Sequence, residues 1–123
     1  MDAVFDSNIL IDYLNGIPEA KLELERYSQK SISVMTWIEV MAGTDSSDEQ
    51  QTRYALQAYQ LLPMTSAIAE RAFILRRDCK LKLPDAIILA TAQVAGLSFV
   101  TRNTKDFSAA DPQVRIPYQI LPL

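Results

Sequence analysis

The sequence predicts an α/β fold, a short central parallel sheet of about four to five strands flanked by helices on both faces. Three observations carry this. Short apolar runs of strand length alternate with longer stretches of helical periodicity. Punctuation suited to helix boundaries falls between them, at Asn15-Gly16, Gly43, Pro84 and Gly96. One segment, from Asp85 to Ala95, is apolar nearly all round, as a helix buried at the centre of such a fold should be.

Taken in order, Ala3-Val4-Phe5 reads as a buried strand that ends in Asp6-Ser7-Asn8. The helix carrying Ile9, Leu10, Ile11 and Leu14 then stops near Asn15-Gly16. Residues 19–29 read as a surface helix, with Leu22 and Leu24 among charges. Ser31 to Met35 is strand-like. Thr36 opens a helix ending at Gly43, in which Thr36 and Glu39 have the spacing of a capping box. Residues 46–59 form a polar-faced helix with Ser47 or Asp48 as its cap. Leu61 to Met64 is a short strand, and a helix follows from Ser66 to Lys80. Pro84 suits the first turn of the buried helix, which Gly96 ends. Leu97 to Thr101 is the next strand, and Tyr118 to Leu121 the last.

The chain has 123 residues, enough for a single domain over 1–123. Its apolar runs fall short of the roughly 20 residues of a membrane span. The N-terminus shows no signal-peptide pattern, and the expectation is a cytoplasmic protein without a membrane partner. Cys79, the one cysteine, cannot form an internal disulfide and reads as a buried structural thiol. The most informative feature of the composition is that it contains 0 histidines. Ser-His-Asp triads, Cys-His pairs and histidine-ligated zinc are therefore excluded. Hydrolysis would have to run on carboxylates with a hard cation. A net charge of −3 argues against gripping nucleic acid by overall charge, while leaving room for a local basic rim.

Four acids stand at unusual places. Asp6 ends the first strand, Glu39 lies in the first turn of the helix after the second, Asp85 opens the buried helix, and Asp106 follows the strand ending at Thr101. Ligands of open parallel sheets collect beyond the carboxyl ends of strands, so these residues should face one crevice. Converging carboxylates repel one another unless a cation neutralises them, and an oxygen-only set suits Mg²⁺ or Mn²⁺. Each also has an ordinary reading. Glu39 completes a capping box, Asp85 complements a helix end, Asp6 caps a helix, and Asp106 is a solvated loop acid. Their joint placement carries the case.

Together, Asp-Ser-Asn-Ile-Leu-Ile at 6–11, Ser33 and Thr36 before Glu39, Leu-Pro-Asp-Ala-Ile-Ile-Leu-Ala-Thr-Ala at 83–92, and Val-Thr-Arg-Asn-Thr-Lys-Asp-Phe at 100–107 resemble the PIN-domain family, specifically VapC-like toxins of type II toxin–antitoxin systems. The resemblance spans essentially the whole chain. It implies a short parallel sheet flanked by helices and a Mg²⁺- or Mn²⁺-dependent endoribonuclease. It carries the metal-holding acids onto Asp6, Glu39 and Asp85. The fourth family acid stands where either Asn103 or Asp106 stands here, and Asp106 is favoured with Asn103 as helper. Ser7, Asn8, Thr36 and Thr101 would support the carboxylates. One or two metals are compatible with this set, and water activated there would leave 5′-phosphate and 3′-hydroxyl ends.

Arg102 and Lys105 are candidates to hold phosphate, and each reads equally well as a solvated loop residue. The run Arg76 to Lys82 could guide RNA, although complementing a helix C-terminus is the simpler reading. The resemblance further implies an RNA substrate, a VapB-like antitoxin whose tail fills the cleft, and a homodimer, for which helices 19–29 and 47–59 are candidate surfaces. The competing readings are a PIN-fold binding module that cuts nothing and a nuclease acting on DNA. An aspartate-nucleophile phosphatase would want an acid where Asn8 stands, and a phosphoryl-transfer receiver would want adjacent acids near its first strand.

Overall fold

The structure, a computed structural model describing residues 2–120, is built on one five-stranded sheet. In chain order the elements are β1 (Asp2–Phe5), α1 (Ser7–Leu14), α2 (Pro18–Leu24), β2 (Gln29–Ser33), α3 (Val34–Ala42) and α4 (Glu49–Leu56). They continue with β3 (Gln60–Leu62), α5 (Ser66–Cys79), α6 (Leu83–Ala95), β4 (Ser98–Val100) and β5 (Val114–Arg115). The sheet order is β3-β2-β1-β4-β5, with every neighbouring pair parallel. The chain lays down β1, steps outward through β2 and β3, then returns to the other side of β1 for β4. The strand order therefore reverses between β1 and β4, the point at which open parallel sheets form a crevice.

Strand alternation divides the core into two layers. Val4 of β1, Phe99 of β4 and Val114 of β5 pack with α5 and α6 through Ile68, Ala72, Leu75, Ile88 and Leu89. Ala3 and Phe5 of β1, Ile32 of β2 and Val100 of β4 pack with α1, α2, α3 and α4 through Ile9, Leu10, Leu24, Val40 and Leu56. The expected fold class is what the chain adopts, with helices on both faces. Among the described residues no helix is long and apolar enough to cross a membrane.

Several boundaries differ from the sequence reading, each for a local reason. The last strand is not Tyr118–Leu121 but Val114–Arg115, which pairs with Phe99 and Val100. Pro117 has no N–H for a ladder, and Tyr118 turns its hydroxyl to Asp12 instead. Leu121 lies outside the described residues. α2 ends at Leu24 rather than near 29 because Gln29 and Lys30 are drawn into β2 opposite Asp2 and Ala3. α3 begins at Val34, two residues before Thr36, because Ser33 is the cap and its Oγ accepts from Thr36 N at 3.1 Å. α4 is shorter than 46–59; Asp45 gathers Ser47 N and Asp48 N into a turn ahead of it, and Asp48 makes no side-chain cap. Cys79 is exposed, not buried, at the last residue of α5.

Candidate active site

Asp6 follows β1 directly and is the N-cap of α1, with extended backbone at φ −71° and ψ 156°. Its side chain is buried, and four donors surround the carboxylate. Oδ1 accepts from Ser7 N at 2.8 Å and Ser7 Oγ at 3.3 Å; Oδ2 accepts from Thr101 Oγ1 at 2.8 Å and Asn8 Nδ2 at 3.3 Å. Burial nevertheless pushes the carboxyl above its ordinary range, with Glu39 adding repulsion, against the lowering effect of Thr101 and Ser7. Thr101 stands directly after β4, so the Asp6–Thr101 bond spans the strand-order reversal.

Glu39 is not in the first turn of α3, since the helix starts at Val34. Its Oε1 accepts from Ser7 Oγ at 2.6 Å, so one serine hydroxyl touches both Asp6 and Glu39. The capping-box reading fails with it, because Ser33 does the capping. Thr36, one turn before Glu39, is fully buried, and its Oγ1 is the buried side-chain polar atom without a partner among the described residues. Asp85 lies in the first turn of α6 and is half-buried. Its carboxyl is pushed up to about 6, by burial first and then by the charges of Asp6, Asp106 and Glu39, with Lys82 opposing. A helix N-terminus favours negative charge. The rise occurs despite that position because burial outweighs it, with the charges of Asp6, Asp106 and Glu39 adding to it.

The fourth position is a local construction. Asn103 Nδ2 donates to Asp106 Oδ2 at 3.0 Å, and Asn103 Oδ1 accepts from Lys105 N and Asp106 N, both at 3.2 Å. Asn103 N in turn donates to Thr101 Oγ1 at 3.1 Å. Asn103 and Asp106 therefore occur together, the amide holding the acid, and a chain of polar contacts runs from Asp106 back to Asp6. Lys105 is exposed beside this turn. Arg102 is directed elsewhere: its Nε and Nη2 donate to the two oxygens of Asp12 at 2.5 and 3.0 Å. In the basic run, Arg76 and Arg77 lie in the last turn of α5, where Arg76 donates to Leu81 O beyond the helix and Arg77 to the Asp78 side chain.

Asp6, Glu39, Asp85 and Asp106 are all carboxylates, and burial together with the charge of the other three raises Asp85. Both properties fit a hard divalent cation such as Mg²⁺ or Mn²⁺. Among the described residues no three acidic or cysteine side chains close to the spacing of a bare ligand set. Asp6 and Glu39 are turned to Ser7, so the residues fit an ion that keeps part of its water, as Mg²⁺ ordinarily does.

A PIN domain family model matches residues 3–111. The chain belongs to the PIN domain family. A chain of a toxin-antitoxin complex from Klebsiella pneumoniae is similar to it at 52% identity with a TM-score of 0.90, covering 96% of this chain and 99% of that one. FitAcB from Neisseria gonorrhoeae matches at 21% identity and a TM-score of 0.79, over 98% of this chain and 100% of that one. VapBC2 from Rickettsia felis, bound to a DNA fragment from their promoter, matches at 20% and 0.76, over 93% and 96%. The last two show the shared fold. No functionally curated protein matches the chain. Within this PIN domain, the sequence reading missed Asp12 and Tyr118 beside the site. The available signal was spacing: Asn8 and Asp12 are four residues apart on one helix, so they share a face.

Proposed function

We propose that this PIN domain is a Mg²⁺- or Mn²⁺-dependent endoribonuclease and the toxin of a VapBC-type pair. The observation that supports the reading is the linkage of Asp6 to Glu39 through Ser7 and to Thr101 beside the strand-order reversal, with Asp85 raised by burial first and then by the charges of Asp6, Asp106 and Glu39. The likeness to a chain of a toxin-antitoxin complex at 52% identity supports the toxin role.

Asp6, Glu39, Asp85 and Asp106 would hold the cation, which when bound supplies positive charge to polarise a phosphodiester and to acidify water. The protein's own residues supply order. Ser7 and Thr101 fix the oxygens of Asp6, and Ser7 also fixes Glu39. Asn103 fixes Asp106. One of these carboxylates would accept the proton of the attacking water. Lys105 is the exposed cation nearest in sequence to Asp106 and would meet a substrate phosphate.

RNA substrate, a VapB-like antitoxin and a homodimer belong to the same reading. Leu22 and Tyr54, 66% and 78% exposed on α2 and α4, are apolar groups open to such partners. The test is incubation of antitoxin-free protein with structured RNA, with Mg²⁺ or Mn²⁺ and with chelator, followed by end-group analysis. The expected products carry 5′-phosphate and 3′-hydroxyl ends and form only with metal. Cyclic phosphate ends, or no cutting by folded, metal-loaded protein, would overturn the reading.

A further inference from the structure

Asn8 and Asp12 stand four residues apart on α1 and grip the same residue of the loop after β4. Asn8 Oδ1 accepts from Arg102 N at 3.4 Å, and Asp12 takes the fork of the Arg102 side chain on both oxygens, at 2.5 and 3.0 Å. Asp12 is 4% exposed, and its Oδ2 also accepts from Tyr118 Oη at 2.8 Å. Arg102 lies between Thr101, which donates to Asp6, and Asn103, which donates to Asp106.

We propose that Asp12, backed by Tyr118, is a positioning residue: by clamping Arg102 it sets the loop from Thr101 to Asp106 so that Thr101 and Asp106 reach the acidic site together. The inference rests on the assignment of Asp6 and Asp106 to that site. The sequence offers Arg102 equally as a phosphate contact and as a solvated loop residue, but the geometry commits its guanidinium to Asp12. Withdrawing the guanidinium would leave a buried carboxylate with one phenol for company, a costly state. A bidentate fork fixes both distance and orientation, and lysine cannot reproduce it. The C-terminal segment enters the site indirectly, since Tyr118 completes the clamp from a stretch with no regular structure.

The test compares Asp12→Asn, Arg102→Lys and Tyr118→Phe in the full chain by hydrogen exchange, Mn²⁺ titration and RNA cleavage. The clamp predicts faster exchange at the amides of Asn103, Asp106 and Phe107, with β1 amides unchanged. It also predicts Mn²⁺ affinity lower by roughly ten- to a hundred-fold for Asp12→Asn and Arg102→Lys. In cleavage, kcat should fall while KM for RNA stays the same. Tyr118→Phe should shift all three in the same direction and by less, and it reads the clamp even where Asp12→Asn does not fold. Two results would overturn the proposal. One is unchanged loop exchange and Mn²⁺ affinity in these variants. The other is a raised KM for RNA in Arg102→Lys with none in Asp12→Asn, the pattern of a bidentate phosphate contact. Exchange and Mn²⁺ binding need no cleavage, so a wild-type protein that cuts nothing would sink the nuclease reading while the clamp is still judged.

Discussion

Thr101 Oγ1 donates to Asp6 Oδ2 at 2.8 Å, joining the residue after β4 to the residue after β1. The two strands are neighbours in the sheet although 95 residues separate the two side chains. This bond therefore exists only because the chain reverses its strand order there, and it orients a carboxylate that burial alone would leave protonated more readily.

Thr101→Val keeps the shape and removes the donor. Metal affinity should fall roughly ten- to a hundred-fold, and Thr101→Ser should restore most of it. Mn²⁺ titration of the two variants against the parent protein checks this; equal affinity for all three would mean the hydroxyl only fills space.

Asp85 makes metal-free stability depend on pH in an unusual direction for an acid. Its carboxyl is raised from 3.8 to about 6, so the folded state holds the proton more tightly than the unfolded chain. The contribution is full below the lower value and is lost as pH rises through the higher one. Asp85→Asn should therefore stabilise metal-free protein above pH 6, by on the order of 1 kcal/mol once screening at a half-buried site is allowed for. Saturating Mg²⁺ should remove the advantage, because a cation relieves the same repulsion. Chemical unfolding at several pH values, with and without metal, measures both.

Ser33 and Thr36 separate capping from the site. Ser33→Ala should cost about 1 kcal/mol, because it removes the cap on Thr36 N. Thr36→Val removes a buried hydroxyl without a partner and should leave stability equal or higher by about 1 kcal/mol. A large loss of stability in Thr36→Val would show that the hydroxyl is satisfied in solution.

The fold was legible because its strands and its buried helix leave strong local patterns: Val4 and Phe5 are a short apolar run, and the Gly96 left-handed turn ends α6 where the pattern stops. The placement of Asp6 and Asp85 beside strand and helix ends followed from the same pattern. What was not legible depends on tertiary competition. Thr36 and Glu39 have capping-box spacing, yet Ser33 lies closer to the end of β2 and takes the role, which frees Glu39 for Ser7. β5 is two residues long between prolines at 112 and 117, too short to show periodicity. Arg102 read equally as a phosphate contact or a solvated loop residue because its partner Asp12 lies 90 residues away.

The most direct measurement is Mn²⁺ binding and RNA cleavage, followed together in parent protein and in Asp6→Asn. The carboxylate-site account predicts that the parent binds Mn²⁺ and cuts only when it is bound, and that Asp6→Asn loses binding and cutting together while remaining folded. Undiminished cleavage by Asp6→Asn, or by the parent protein in excess chelator, would contradict it.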